Sequence, residues 1–199
     1  MNDMSSTSPI DDDSAVDGIR RAVFLDRDGV VNQAVVRDGR PYPPRSVDEI
    51  VVNEYAAEGL ALLKQLGFRL IVVTNQPDVA RGLQSRDNVE AIHAWLAARL
   101  PIDDFRTCYH DDRDQCDCRK PRPGLLLDAA RDYRIDLARS FLVGDRWRDV
   151  EAGRGAGCRS IFINYDYAEP RPESTCATVR SFREACDWIL QHGKSQVHS

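Results

Sequence analysis

The sequence predicts an α/β fold, a single Rossmann-like, doubly wound parallel sheet. Three observations carry that expectation. Strand-length apolar runs alternate with amphipathic helical stretches along the chain. Those runs are apolar throughout, as in strands covered on both faces. Four of them end in polar or reactive residues, where open α/β sheets place their ligands.

Residues 1–19 hold five Asp and no Lys or Arg, a composition suited to a disordered acidic tail. The segment has neither the basic start nor the apolar stretch of a secretory signal. "RAVFLD" (21–26) is the first strand, apolar until it meets acids and a glycine. In "EYAAEGLALLKQLG" Ala56, Leu60 and Leu63 fall at helical spacing, and Gly67 is the stop. "FRLIVVTNQ" (68–76) is a second buried strand. "SRDNVEAIHAWLAARL" predicts a helix with Val89, Ile92 and Leu96 on one face, and Asp87 and Glu90 have capping-box spacing. "FRTCYH" (105–110) is a third strand. A helix from Gly124 to about Arg134 follows, then a strand "SFLVGD" and a helix "RWRDVEAGRGAG" ending on glycine. "RSIFINY" and the amphipathic "VRSFREACDWILQ" complete one domain over residues 20–192, with residues 193–199 a frayed end.

Charge and composition exclude two kinds of partner. The net charge of −5 lies wholly in the tail (−5 plus 5 leaves zero), so no basic footprint for nucleic acid remains. No apolar run approaches the ~20 residues of a membrane span. Three of the six cysteines crowd into residues 108–118, in a chain with nothing that points to secretion. That crowding reads as metal binding in a reducing, cytosolic compartment.

The strand ends read "FLDRDGVVN", "VVTNQ", a Cys/His loop running to "RKP", and "LVGDRWRD". Each alone is a weak signal, since Asp-x-Asp-Gly also occurs in turns and calcium loops. In this order, across nearly all of residues 21–165, they resemble the haloacid dehalogenase-like phosphohydrolases. Asp26 and Asp28 stand two apart, so both lean over the strand end while Arg27 points elsewhere. The resemblance implies that Asp26 attacks phosphorus to form an aspartyl-phosphate. Asp28 then protonates the leaving oxygen and later takes a proton from water. Thr74 gives the phosphoryl group a hydroxyl and an N–H, and Lys120 neutralises its oxygens.

Two carboxylates facing a phosphate dianion need a cation, and Mg²⁺ suits an all-oxygen set. The resemblance places it on the Asp26 side chain, the Asp28 backbone carbonyl and Asp145. Asp149, one helical turn beyond Asp145, fits equally a supporting ligand or an ordinary first-turn helix acid.

Cys108, His110, Cys116 and Cys118 form C-x-H-x5-C-x-C, the donor set of a closed structural zinc site. The alternatives are a disulfide with one spare thiol, or plain reduced cysteines. Asp111, Asp112 and Asp114 read as solvated loop acids, with thiolate the better zinc ligand. Cys158, Cys176 and Cys186 read as packing or surface residues.

Within the superfamily two zinc-loop groups with "CxCRKP" are similar, heptose 1,7-bisphosphate 7-phosphatases and histidinol-phosphate phosphatases. "VVTNQPDVARG" and "CRKPRPGLLLDAARDY" resemble the heptose group, whereas the five residues between His110 and Cys116 sit nearer the histidinol-phosphate pattern. Val30, Pro77-Asp78, Tyr109 and Arg146 stand where Thr, Ser-Gly, Pro and Lys are frequent. The motifs are separated by short segments, which leaves no room for a large cap domain. The implied substrate is therefore a small phosphorylated sugar chosen by loops, with Asn75, Arg119 and Arg146 as its binding residues. A guanidinium suits a second phosphate, while Arg146 and Arg81 also fit plain surface salt bridges. A zinc-stabilised binding protein without activity is the non-enzymatic reading.

Overall fold

The computed structural model describes residues 20–193, so the tail (1–19) and residues 194–199 of the frayed end lie outside the described residues. In chain order the elements are β1 (Arg21–Leu25), β2 (Val35–Arg37), β3 (Arg40–Tyr42), α1 (Ala56–Gln65), β4 (Phe68–Asn75), α2 (Arg86–Ala97) and β5 (Asp104–Cys108). They continue with α3 (Gly124–Tyr133), β6 (Phe141–Gly144), α4 (Trp147–Ala156), β7 (Arg159–Ile163), β8 (Ala177–Val179) and α5 (Phe182–His192). Six strands form one sheet in the order β5–β4–β1–β6–β7–β8, every neighbouring pair parallel.

The alternation of side chains along β1 builds two core layers. Val23 and Leu25 pack with Leu60 and Leu63 of α1, Ile92 and Leu96 of α2, and Phe182 and Ile189 of α5. Ala22 and Phe24 face the other way, onto Leu125, Leu126 and Ala129 of α3 and Ala152 of α4. Each fully buried large side chain contributes about 1.5–3 kcal/mol over its exposed state. Both faces of the strand are therefore apolar, which is why its sequence shows no polar alternation.

β1 sits between β4 and β6, so the strand order reverses there and a crevice opens outside its carboxyl end. Asp26 follows β1 directly, Thr74 and Asn75 end β4, Cys108 ends β5, and Asp145 follows β6. Among the described residues no helix is long and apolar enough to cross a membrane.

Two expectations are corrected. The cap of α2 is Ser85, whose hydroxyl accepts from the Asn88 amide at 3.1 Å; Asp87 already lies inside the first turn. The strand expected over 105–110 ends at Cys108, which frees Tyr109 and His110 for the loop. The antiparallel β2–β3 hairpin and the short β8 were not foreseen. The hairpin had a legible signal, because Asp38 and Gly39 both take positive φ (50° and 70°), as an Asp-Gly two-residue turn requires.

Candidate active site

Three carboxylates and one ammonium meet at the carboxyl ends of β1 and β6. Ligand atoms of Asp26, Asp145 and Asp149, all buried, lie within 4.8 Å of one another. Lys120 Nζ donates to Asp26 Oδ1 at 2.9 Å and to the Val73 carbonyl at 2.7 Å, and pairs with Asp149 Oδ1 at 2.6 Å. Burial disfavours the ammonium, but Asp149 and Asp26 outweigh it and hold Lys120 charged, above its usual range. Asp149 is the first-turn helix acid foreseen as one of its two readings, since its Oδ2 accepts from the Arg146 amide at 3.0 Å and caps α4, and its other oxygen is turned to Lys120 within the carboxylate cluster.

Two glycines permit this crowding. Gly29 adopts φ +95°, and a Cβ there would sit 1.9 Å from Asp145 Oδ2. A Cβ on Gly144 would lie 2.2 Å from that of Asp149. The glycine of "DRDG" and that of "VGD" are thus fixed by the acids they admit.

Asp28 stands apart from the carboxylate cluster, in a cradle of donors. Arg27 Nε donates to its Oδ1 at 3.0 Å and Arg27 Nη2 to its Oδ2 at 2.9 Å; Asn32 and Gln76 add bonds of 3.0 and 2.9 Å. Arg27 therefore does not point elsewhere, as its place in the alternation suggested, but folds back under Asp28. Burial alone would raise the Asp28 pKa, yet Arg27, Asn32 and Gln76 together hold it below the ordinary range. A phosphoryl dianion placed beside it would push it back up.

Thr74 is buried and its Oγ1 accepts from Gln76 Nε2 at 2.9 Å. Asn75, expected to touch substrate, commits its amide to Lys120: Nδ2 donates to the Lys120 carbonyl at 3.0 Å and Oδ1 accepts from its amide at 3.1 Å. It fixes the lysine's backbone at the mouth of the cleft.

The four zinc candidates gather in one group. Cys108 Sγ lies 3.7 Å from Cys116 Sγ, Cys116 Sγ 3.5 Å from Cys118 Sγ, and His110 Nδ1 3.3 Å from Cys118 Sγ. A tetrahedral ion with Zn–S bonds of about 2.3 Å sets its sulfurs about 3.8 Å apart, whereas a disulfide needs about 2.05 Å. The donor set and its spacing fit zinc, and all six cysteines are free thiols.

The loop acids are not simply solvated. Asp111 pairs with Arg81 at 2.7 Å, and Asp112 with Arg119 at 2.7 Å and Arg148 at 3.3 Å. Arg119, expected to reach the substrate, turns instead to Asp112 and the His110 carbonyl and lies outside the cleft lining. A carboxylate on its own loop is the nearer partner.

A cleft of about 510 Å³ opens above Asp26, Asp28, Thr74 and Lys120. Its rim carries Arg40 and Tyr42 from the hairpin, together with Arg81, Arg146 and Arg148. Arg146 lines it as expected, with its guanidinium held by Glu169 (2.8 Å from Nε). Arg40 and Tyr42 were missed, although the Asp-Gly turn that brings them there could have been read.

The HAD-hydrolase-like family model matches residues 117–182. A D-glycero-β-D-manno-heptose-1,7-bisphosphate 7-phosphatase from Rhodopseudomonas palustris is 39% identical over 150 residues, covering 69% of this chain and 80% of the relative. The chain belongs to the heptose-bisphosphate phosphatase family of haloacid dehalogenase-like hydrolases. The Escherichia coli K12 member is 35% identical over 182 residues, 85% of this chain and 87% of its own. The D,D-heptose 1,7-bisphosphate phosphatase of B. bronchiseptica, complexed with magnesium and phosphate, superposes with a TM-score of 0.72 at 32% identity. That match covers 86% of this chain and 99% of the other. A HAD-like phosphatase structure from Mesorhizobium loti gives a TM-score of 0.73 at 26% identity, covering 89% and 87%.

The family's divalent cation has a fitting site here. Three carboxylates against one ammonium leave a formal −2 (−3 plus 1). Both oxygens of buried Asp145 lack a hydrogen-bond partner among the described residues, the Tyr167 hydroxyl only easing its charge from outside bonding geometry. Orphaned carboxylate oxygens in such a cluster suit a hard cation.

The same crowding sets a pH dependence. Burial, with Asp149 and Asp28 adding to it and Lys120 opposing, pushes Asp26 up to about 6. Burial, Asp26 and Asp149 raise Asp145 well above the carboxylate range. A carboxyl raised above its unfolded value holds protons that the unfolded chain has released, so stability falls as pH rises through that window. For Asp26 the window runs from about 4 to about 6, and Asp145 extends it upward. The protein freed of divalent cation at this cluster is expected to gain more melting temperature from added Mg²⁺ at about pH 7.5 than at about pH 5.5. A thermal-melt series at both pH values checks this; equal gains would contradict it.

Proposed function

We propose that the chain is a Mg²⁺-dependent phosphatase removing the 7-phosphate of D-glycero-D-manno-heptose 1,7-bisphosphate, through an aspartyl-phosphate at Asp26. The observation that carries the reading is the buried Asp26–Asp145–Asp149 cluster with Lys120 across it, at the floor of an arginine-rimmed cleft. The three side chains, with the Asp28 backbone carbonyl, would hold Mg²⁺. When bound, that ion offsets the charge of the carboxylates and of the phosphoryl oxygens.

Asp26 presents its carboxylate to phosphorus, and its Oδ1 is already oriented by Lys120 and by the Arg27 amide at 2.8 Å. Lys120 counters negative charge as the phosphoryl group transfers. Asp28 supplies a proton to the leaving oxygen, then accepts one from the water that cleaves the acyl-phosphate. Thr74 offers hydroxyl and amide donors to the phosphoryl oxygens. Arg146, with Arg40, Arg81 and Arg148 on the same rim, supports a second anionic group on the substrate. Zinc on Cys108, His110, Cys116 and Cys118 would have a structural role, since four protein donors close the coordination sphere. The catalytic domain spans residues 20–192, and the reduced thiols that such a zinc site needs support a cytosolic home.

Asp111 and Asp112, which an amine such as histidinol phosphate could have used, do not line the cleft, whereas Arg81 and Arg148 do. With relatives named for the β-heptose, this favours the heptose bisphosphate. The test is phosphate release with Mg²⁺ from both anomers and from histidinol phosphate. The β anomer is expected to lead in kcat/KM by at least about tenfold. Preference for histidinol phosphate would sink the substrate assignment, and no release from any of the three would sink the phosphatase reading.

A further inference from the structure

Arg27 is the largest fully buried side chain described in the protein. A buried guanidinium costs several kcal/mol unless its donors are matched, and here three of its nitrogens have named partners. Nε and Nη2 form a fork onto the two oxygens of Asp28, and Nη1 lies 3.2 Å from Nε2 of His93. Arginine can only donate, so Nε2 of His93 must accept and the imidazole carries its proton on Nδ1. Nδ1 faces Glu90 Oε2 at 3.6 Å. Burial, followed by the Arg27 charge, pushes His93 down to about 4, which agrees with a neutral ring.

The ring is itself fixed. It stacks on Phe105 with centroids 4.6 Å apart, and Glu90 takes a hydrogen bond from the Tyr109 hydroxyl. Tyr109 stands between the zinc candidates Cys108 and His110. Hydrogen bonds thus link Tyr109 to Glu90 on one side and His93 through Arg27 to Asp28 on the other, while between them His93 Nδ1 faces Glu90 across 3.6 Å with no hydrogen bond.

We propose that Arg27 and His93 are positioning residues for proton transfer: the guanidinium fork sets the angle of the Asp28 carboxylate in the cleft, and His93 sets the fork. The proposal rests on the phosphatase reading above, in which Asp28 gives its proton to the leaving oxygen as the P–O bond breaks. A buried pair serving stability alone could be replaced by apolar side chains at little cost. This one ends on a carboxylate that lines the cleft.

The leaving group separates the two roles. A sugar alkoxide must be protonated as it departs, whereas a 4-nitrophenolate needs little help. The experiment follows single-turnover release of the leaving alcohol, heptose 1-phosphate or 4-nitrophenol, with saturating Mg²⁺, so that the later hydrolysis of the acyl-phosphate, common to both, is not read. It compares the wild type with His93→Leu, which removes the acceptor, His93→Gln, which can restore one through Oε1, and Arg27→Lys, which keeps the charge but loses the fork. Melting curves establish that each variant is folded. His93→Leu and Arg27→Lys are expected to slow the sugar phosphate by about 10- to 100-fold and the aryl phosphate by less than about threefold, a partial loss of the roughly 10²–10⁴-fold that general acid catalysis supplies. His93→Gln should recover most of the sugar-phosphate rate, an arm that needs only that substrate. Equal losses on both phosphates, no loss, or a His93→Gln no better than His93→Leu would overturn the proposal. A wild type inactive on both would instead overturn the phosphatase reading, and the proposal with it.

Discussion

Asp26→Asn is expected to abolish phosphate release, by a factor on the order of 10⁴ or more, while the protein stays folded. The amide cannot form an acyl-phosphate, and nothing else in the cluster can take its place. Asp145 follows the neighbouring strand β6, and Asp149, in the first turn of α4, is already bound to Lys120 and to the Arg146 amide. The fold should tolerate the change because a buried, mutually repelling carboxylate is replaced by a neutral isostere. Lys120 keeps Asp149 and the Val73 carbonyl as partners. The melting temperature of the Mg²⁺-free variant should equal or exceed that of the wild type. Turnover near the wild-type rate would remove Asp26 from the mechanism.

The second large effect concerns the Cys/His loop. Replacing Cys116 and Cys118 together by Ser is expected to eliminate tightly held zinc and to lower the melting temperature steeply. Structural zinc is worth on the order of 10 kcal/mol in isolated peptides, comparable to the whole stability of a domain. Activity should fall with it, for two reasons visible in the fold. Lys120 leaves the loop two residues after Cys118, and Tyr109 ties the loop to Glu90. Metal analysis beside a melting curve tests this. Full zinc occupancy in the double variant would contradict the ligand assignment, and an unchanged melting temperature would contradict its structural role.

Much of this site was legible in the sequence because its residues are placed by strand ends. Buried strands betray themselves as apolar runs, and a residue that follows such a run must emerge at the sheet's edge. Asp26, Thr74, Asp145 and the Cys/His loop leading to Lys120 stood out as polar ends of such runs. The order of the set, through its resemblance to the haloacid dehalogenase-like hydrolases, gave the first three and Lys120 their expected roles. The structure gathers Asp26, Asp145 and Lys120 at one point and the Cys/His quartet at another. What local pattern could not show is who pairs with whom across the fold. Arg27 looked idle by strand alternation, yet it bends back under Asp28 because His93, sixty-six positions on, supplies an acceptor. Arg119 looked like a substrate anchor from its neighbour Lys120, but Asp112 on the same loop captures it. Asn75, read as a substrate-binding residue, does line the cleft, but its amide is used by the Lys120 backbone. The β2–β3 hairpin is the exception, a purely local feature whose Asp38-Gly39 turn was present to be read.

In the proposed reaction Asp26 carries the phosphoryl group. This is tested most directly by trapping that group in an Asp28→Asn variant, which lacks the base for the hydrolytic step. With 4-nitrophenyl phosphate, whose departure needs no strong acid, the first step should still proceed and the second should stall. Acid quenching followed by peptide mass spectrometry is expected to find near-stoichiometric phosphate on the peptide containing Asp26, removable by hydroxylamine. Nitrophenol release with no phosphorylated peptide, or with phosphate on another residue, would rule out Asp26 as the nucleophile.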